Sequence, residues 1–282
     1  MDTAAEPGYG ALVALAQELA SVARQNTVPL FRTPLDVISK ADASPVTIAD
    51  RSAEAAMRRL IAENFPDHGI YGEEHGQERI DAPYLWVLDP IDGTKSFITG
   101  SPLWGTLVAL LHHGQPVVGL VDMPMLGETW VAQKGEATLC NGHVARTSAC
   151  RDLQQARVYT TSPDAFAAAD WALYDALSRR CALRRFGGDC YIYTQLAGGH
   201  IDLVVEAGLQ PYDYLPMVTL VQSAGGVISD WQGQPLSVAS DGRVLAAAST
   251  ELHAQALACL RSLASETGTP NKRTPVQPKR VV

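Results

Sequence analysis

The chain has 282 residues, 46% of them hydrophobic and 18% charged, which is enough apolar material for the core of a globular enzyme. Its 22 basic and 30 acidic side chains give a formal net charge of -8, which argues against a general electrostatic attraction to nucleic acid or to an anionic membrane. Five scattered cysteines without a CxxC pair suggest neither a disulfide framework nor a zinc knuckle, and they favour a reducing cytoplasm.

Helices are predicted at the start of the chain, because apolar residues recur at helical spacing over residues 11–31 and 47–65. Acidic residues precede and interrupt residues 11–23, so this segment is predicted to be an amphipathic helix rather than a signal peptide. Strand-like apolar stretches follow at 69–72, 84–89, 106–113 and 116–124. The last two are joined at His113-Gly114-Gln115, which predicts a hairpin. We therefore expect helices covering a largely antiparallel sheet in the first half.

After residue 147 the pattern changes to alternating strands and helices. Strands are predicted at 157–162, 181–186, 201–206, 227–231 and 244–249, and helices at about 165–180, 191–196, 213–224 and 250–264. The remaining residues are rich in Pro, Thr and basic side chains, which is typical of a disordered tail. We predict an N-terminal half at 1–147, a C-terminal half at 148–265 and a disordered tail at 266–282.

Acidic residues stand where predicted strands end. The strand at 84–88 is followed by Asp89 and Asp92, and then by Thr94 at the start of a short helix. Two carboxylates beside a helix N-terminus indicate a bound cation, since the free N–H groups of Gly93, Thr94 and Lys95 can then hold phosphate oxygens. Magnesium prefers oxygen ligands and commonly accompanies phosphoryl groups.

Two further acidic elements extend this pattern. Glu73 and Glu74 follow the strand at 69–72, and Asp213 begins a helix. Each has an ordinary explanation when taken singly, because an Asp at a helix start is usually a cap and a Glu pair on a loop is usually solvated. The combination of GEE, DPIDGT and a distant acid before a helix favours a shared site instead.

Two look-alike motifs are excluded by spacing. An aspartate-nucleophile phosphatase would read DxDGT, whereas two residues separate Asp89 from Asp92 here. A calcium EF-hand needs Glu at loop position twelve, and counting from Asp89 that position is Gly100.

The GEE at 72–74, the DPIDGT at 89–94 and the Asp of PYDYLP at 213 resemble, in this order, the signatures of the inositol monophosphatase-like phosphatases. This resemblance implies an α+β fold, a layered αβαβα sandwich with an antiparallel sheet in the first half and a mixed sheet in the second. It also implies a site between the halves that binds Mg²⁺, two or three ions per site, and a small phosphorylated substrate. A cytoplasmic homodimer is expected, without nucleic-acid or membrane partners.

The resemblance also assigns roles to residues. One Mg²⁺ would be held by Glu73, Asp89 and the backbone carbonyl of Ile91, and a second by Asp89, Asp92 and Asp213. Thr94 and a neighbouring acid would help to deprotonate the attacking water. Asp50 is the candidate for this acid, and its ordinary alternative is a first-turn helix acid. The catalytic residues implied are thus Asp50, Glu73 and Thr94.

The substrate is suggested by the segment from Lys95 to Gly100, which is more similar to the histidinol-phosphate phosphatase branch than to the inositol-directed one. Histidinol phosphate carries an ammonium and an imidazole, so its pocket should provide carboxylates or aromatic faces. Asp189 and Glu206 are the available acids. The alternative role for Asp189 is that of a helix cap. The substrate-binding residues expected are Gly93, Thr94, Lys95, Asp189, Glu206 and Asp213.

The leading function is therefore hydrolysis of L-histidinol phosphate to L-histidinol and phosphate, in histidine biosynthesis. Inositol monophosphatase and a broader sugar- or nucleotide-phosphate phosphatase remain as alternatives of the same class. A catalytically silent binding or regulatory protein is the alternative of another class. All of the expected metal carboxylates and Thr94 are present, which argues against a catalytically inactive protein.

Overall fold

A computed structural model describes residues 9–34, 38–39 and 45–267. Within this part of the chain the α-helices are α1 (Tyr9–Thr27), α2 (Ile48–Asn64), α3 (Thr94–Ile98), α4 (Ala168–Ser178), α5 (Tyr191–Ala197), α6 (Pro211–Ser223) and α7 (Thr250–Thr267). Short 3-10 turns lie at Val28–Leu30, Leu153–Gln155 and Pro163–Ala165. None of the helices in the described ranges is long and apolar enough to cross a membrane.

The strands of the first half are β1 (Ile38–Ser39), β2 (Pro45–Val46), β3 (Gly69–Gly72), β4 (Gly76–Glu78), β5 (Tyr84–Asp92), β6 (Gly105–His112), β7 (Gln115–Met123), β8 (Glu128–Gln133), β9 (Leu139–Cys140) and β10 (His143–Val144). Those of the second half are β11 (Arg157–Thr160), β12 (Leu183–Phe186), β13 (Leu203–Glu206), β14 (Val227–Ser229) and β15 (Val244–Ala247).

The first sheet has eight strands in the order β10-β9-β8-β7-β6-β5-β3-β4. All of its neighbouring strands are antiparallel except β3 and β5, which are parallel. The hairpin between β6 and β7 turns at His113 and Gly114, where φ is 48° and 77°. Two successive residues with positive φ are typical of the type I′ turns that match strand twist.

The second sheet has five strands in the order β12-β11-β13-β15-β14. Strands β12, β11 and β13 run parallel, whereas β15 is antiparallel to both β13 and β14. The sheet is therefore mixed, as the resemblance implies.

Strand β5 shows why the first sheet is covered on both faces. Its residues are almost all buried, and successive side chains of a strand point to opposite faces. Leu85 and Val87 accordingly pack in one core with α5, α6 and the second sheet. Trp86 and Leu88 pack in another core with α1 and α2. A continuous apolar run rather than an alternating one is what such double burial requires.

The layers follow from these cores. Helices α1 and α2 cover the outer face of the first sheet, α5 and α6 lie between the two sheets, and α4 and α7 cover the outer face of the second. This is the αβαβα sandwich, so the predicted fold class is confirmed.

The predicted helices and strands all correspond to observed elements, with shifted ends, while β1, β2, β4 and β8–β10 were not predicted. Helix α7 continues to Thr267, into the predicted tail, and the remaining tail residues, 268–282, lie outside the described residues. The division after residue 147 stays a prediction, because α5 and α6 of the second half share one core with the first sheet.

Candidate active site

The parallel pairing of β3 and β5 brings two acidic elements together. Gly72 is in register with Leu88, and the backbone N–H of Glu73 donates to the Leu88 carbonyl over 3.2 Å. Parallel strands end at the same edge of a sheet, so Glu73 emerges beside Asp89. Besides burial, the like charge of Glu73 raises the pKa of Asp89, as expected for neighbouring carboxyl groups.

A β-bulge lets Asp89 and Asp92 serve one site. In a regular strand, side chains three positions apart point to opposite faces. Here Asp89 pairs with Leu107 and Asp92 with Gly105, so β5 contains one more residue than β6 between these pairs. The extra residue re-aims the following side chain. Pro90 lies in this bulge, where a missing N–H is tolerated.

The third acid comes from the second half of the chain. Asp213 lies in the first turn of α6, where its Oδ2 accepts the Gln210 N–H over 2.7 Å in a capping box. Asp89, Asp92 and Asp213 each offer an oxygen within 4.8 Å of the others. The structure therefore brings together the acids that the three sequence motifs contribute.

The electrostatics of this cluster are dominated by burial and like charge. Burial raises the pKa of Asp89 well above its usual value, and Glu73, Asp92 and Asp213 raise it further. Burial and then Asp189 raise the pKa of Asp92 to about 7. Burial and Asp92 raise the pKa of Asp213 in the same way. Ionised carboxylates at this spacing repel one another strongly without a neutralising partner.

The donor set fits Mg²⁺. The converging ligand atoms are carboxylate oxygens, which hard divalent cations prefer, and the like charges favour a cation between them. The carbonyl of Ile91 lies in the same turn and accepts the Thr94 hydroxyl over 3.2 Å. Gly93 has φ of 82° before α3 begins, a conformation that suits glycine. The turn thus combines carboxylates, a carbonyl and the free N–H groups of a helix start.

Asp50 is fully buried at the start of α2. Its Oδ2 accepts the N–H and the hydroxyl of Thr47 over 2.9 and 2.7 Å, as part of a capping box. Its Oδ1 is buried and has no hydrogen-bond partner within the described residues. Burial raises the pKa of Asp50, and the charge of Glu73 raises it further. Asp50 is therefore both a helix cap and a neighbour of the cluster.

Asp189 is joined to the DPIDGT turn. Its Oδ2 accepts the Ser96 hydroxyl over 2.6 Å, and a Cβ on Gly93 would lie 3.0 Å from its carboxyl group. The alternative of a helix cap is wrong for this residue, since Cys190 is the N-cap of α5 and its N–H donates to Asp92 Oδ2 over 2.6 Å. The loop before α5 is thus held against the cluster.

Glu206 ends β13 and is only 4% exposed. One of its oxygens accepts the Thr161 N–H over 3.0 Å. Burial raises its pKa, and the charge of Asp189 raises it further. Burial raises the pKa of Asp189. The positive charge of Lys95, which is exposed, opposes this rise. The acidic region therefore continues from Asp89, Asp92 and Asp213 to a second acidic pair, Asp189 and Glu206.

Ser96 and Cys190 contribute to this geometry but were not predicted from the sequence. Their contacts join segments far apart in the chain, and the separation is 93 residues for Ser96 and Asp189. The only local signal was the GGD segment, because two glycines permit the tight loop that precedes α5.

Comparison with known proteins identifies the family of this chain. A family model described as the inositol monophosphatase family matches residues 5–265. The bifunctional phosphatase IMPL2, chloroplastic, of Arabidopsis thaliana is 44% identical over 256 residues, which cover 88% of this chain and 74% of the relative. A histidinol-phosphatase of Chlorobaculum parvum is 36% identical over 239 residues, which cover 82% of this chain and 90% of the relative.

A solved structure, an inositol monophosphatase from Zymomonas mobilis, has a TM-score of 0.84 and 44% identity, and the match covers 91% of this chain and 100% of that chain. The protein described here is a phosphatase enzyme. It belongs to the inositol monophosphatase family, and its resemblance to the histidinol-phosphatase branch is confirmed. The family is generally metal-dependent, typically on Mg²⁺.

Because the carboxylates of the cluster repel one another, we expect replacement of one of them to have opposite effects on stability with and without metal. Asp89→Asn removes one buried charge, so it should stabilise the metal-free protein by about 1–2 kcal/mol. It should also weaken the stabilisation that Mg²⁺ gives to the wild type. Thermal unfolding in EDTA and in excess Mg²⁺ measures both effects. The exposed Asp81→Asn is the matched control, and a destabilised metal-free Asp89→Asn would contradict the repulsion.

Proposed function

We propose that this protein is a Mg²⁺-dependent phosphomonoesterase that hydrolyses L-histidinol phosphate to L-histidinol and phosphate, a reaction of histidine biosynthesis. The observation that carries the proposal is that two clusters of acidic side chains lie next to each other. The cluster of Asp89, Asp92 and Asp213 adjoins Asp189 and Glu206, which Ser96 and Thr161 hold by hydrogen bonds.

The residues that would hold Mg²⁺ are Glu73, Asp89, Asp92, Asp213 and the carbonyl of Ile91. Bound Mg²⁺ would polarise the phosphoryl group, lower the pKa of a water and stabilise the leaving oxygen. The carboxylates would fix the positions of the ions, since the bulge in β5 and the capping box of α6 limit the movement of Asp89 and Asp213. Their convergence from both halves of the chain supports this role.

The remaining groups would handle the proton and the phosphate. The Oδ1 of Asp50, which has no hydrogen-bond partner in the described part of the chain, has the capacity to accept a proton from the attacking water. Thr94 donates its hydroxyl hydrogen to Ile91, which leaves oxygen lone pairs to orient that water. The backbone N–H groups of Gly93, Thr94 and Lys95 would bind phosphate oxygens beside the metal.

The preference for histidinol phosphate rests on charge. The substrate's ammonium and imidazole would be stabilised by carboxylates, whereas inositol would require several hydroxyl partners. Asp189 and Glu206 supply negative charge at the position where the leaving group would extend from the metal cluster. The histidinol-phosphatase of Chlorobaculum parvum supports this choice, and the inositol monophosphatase structure from Zymomonas mobilis supports the inositol-phosphate alternative.

Phosphate release from a panel of esters tests the proposal. We expect Mg²⁺-dependent release to have its highest kcat/KM with histidinol phosphate, compared with inositol 1-phosphate, fructose 1,6-bisphosphate and 3′-phosphoadenosine 5′-phosphate. A preference for inositol 1-phosphate would overturn the substrate assignment. Absence of release from every ester would favour a binding or regulatory protein instead.

Asp50→Asn separates proton transfer from metal binding. The amide can still accept the Thr47 hydrogen bonds, but it cannot take a proton from water at neutral pH. We expect kcat to fall by about 100-fold or more, while Mg²⁺ titrated calorimetrically binds with little change. Near-normal turnover would remove Asp50 from the mechanism.

Asp189→Asn and Glu206→Gln test the leaving-group contacts. Loss of one charge from this pair should raise KM for histidinol phosphate by about tenfold. KM for glycerol 2-phosphate, which has no cationic group, should change little. Ser96→Ala should have a smaller effect in the same direction, because it removes the hydrogen bond that holds Asp189. Equal changes in KM for both esters would mean that these residues do not contact the leaving group.

The homodimer, the cytoplasmic location and the number of Mg²⁺ ions expected from the resemblance stay predictions. Size-exclusion chromatography with light scattering and calorimetric stoichiometry address the oligomeric state and the ions.

A further inference from the structure

A buried carboxylate outside the predicted site lies against the turn that carries Glu73. Glu54, on α2, has 0% of its surface exposed. Its Oε2 accepts the N–H of Glu74 over 2.6 Å, and its Oε1 accepts the N–H of His75 over 3.1 Å. These two N–H groups belong to the residues that immediately follow Glu73, so Glu54 fixes the backbone of this turn.

Arg58 completes the arrangement. Its Nε donates to Glu54 Oε1 over 2.7 Å, and its guanidinium also donates to the carbonyl of Gly76. The planar fork of arginine suits such divided contacts. Gly72 and Gly76 are paired across β3 and β4, so the turn is held at its centre by Glu54 and at its far end by Arg58.

Gly72 shows how closely the carboxylate approaches the strand. A Cβ at this position would lie 2.0 Å from Glu54 Oε1, a distance at which one of the groups must move. The first residue of the GEE motif is thus a glycine because Glu54 occupies the space of a side chain. The backbone conformation does not require a glycine at this position, because φ of Gly72 is not positive.

The sequence of α2 explains this geometry. Asp50, Glu54 and Arg58 are spaced four residues apart, so they lie along one face of the helix. That face is turned toward the cluster at Asp50 and toward the GEE turn at Glu54. One helix therefore carries both the candidate proton acceptor and the support of a candidate metal ligand.

We propose that Glu54, supported by Arg58, is a positioning residue that holds Glu73 at the metal cluster and thereby sets the affinity of the site for Mg²⁺. Residues that orient metal ligands typically change affinity by about 10–100-fold when they are replaced. The proposal rests on the metal-binding role of Glu73 in the proposed function, and it adds a residue that does not touch metal or substrate.

Glu54→Gln is the first test. All three partners of the Glu54 oxygens are N–H donors, so the amide nitrogen of Gln must face one of them and lose a hydrogen bond. We expect the Mg²⁺ dissociation constant, measured by calorimetry with the metal alone, to rise about tenfold. At saturating Mg²⁺, the KM for the phosphate ester should be unchanged. Glu63→Gln, an exposed residue of the same helix, is the matched control and should match the wild type.

A double-mutant cycle makes the test specific. Gly72→Ala should weaken Mg²⁺ binding by forcing Glu54 away, and it should weaken binding much less in the Glu54→Ala background. Arg58→Lys, which retains Glu54 and a positive charge, should have a smaller effect and serves if Glu54→Gln does not fold.

An unchanged Mg²⁺ dissociation constant in folded Glu54→Gln or Arg58→Lys, with only a lower Tm, would overturn the proposal and leave Glu54 a stability residue. Wild-type protein that binds Mg²⁺ but releases no phosphate would contradict the proposed function, while the calorimetric comparison would still decide the role of Glu54. A wild type that binds no Mg²⁺ would overturn both.

Discussion

Mutual repulsion of clustered carboxylates is the constraint on which the rest of this structure depends. Asp89, Asp92 and Asp213 lie within 4.8 Å of one another, and burial alone makes the ionised form of such groups unfavourable. The halves of the chain must therefore be held together by other forces where their acids meet. The core shared by the first sheet, α5, α6 and the second sheet supplies that cohesion. A cation in the cluster would attract carboxylates from both halves of the chain and so offset their repulsion. Metal binding would therefore stabilise the fold.

Two residues of the proposed mechanism also take part in helix capping. Asp50 and Asp213 each lie in the first turn of a helix and form capping boxes with Thr47 and Gln210. At Asp50 one oxygen makes the cap while the other has no partner within the described part of the chain. A cap fixes the rotamer of the carboxylate, so its second oxygen is presented in a defined direction. The ordinary explanation of such an acid and the functional one are therefore compatible.

The acids of the cluster could be predicted because their signals are local. Asp89 and Glu73 follow apolar runs that predict strands, and only the structure shows that these two strands are parallel and so end at one edge of the sheet. The bulge that re-aims Asp92 was not predicted, because it depends on which residues of β6 pair with β5. The bond from Ser96 to Asp189 was also missed, since a hydroxyl and a carboxylate distant in sequence give no pattern. Sequence thus indicates which residues can form the site, and tertiary pairing decides their directions.

In the proposed function, the acids of the metal cluster and the acids that contact the leaving group are held by different kinds of structure. Glu73, Asp89 and Asp92 are set by strand pairing and a bulge within the first sheet, where a small displacement would move all three carboxylates. Asp189 belongs instead to a loop, held to the first half by the Ser96 hydroxyl and the contact of Cys190 with Asp92. Loops tolerate substitution better than paired strands, so the leaving-group contacts can change while the phosphate chemistry is kept. Changes at Asp189 should therefore redirect specificity, whereas changes at the sheet edge should abolish hydrolysis of every ester.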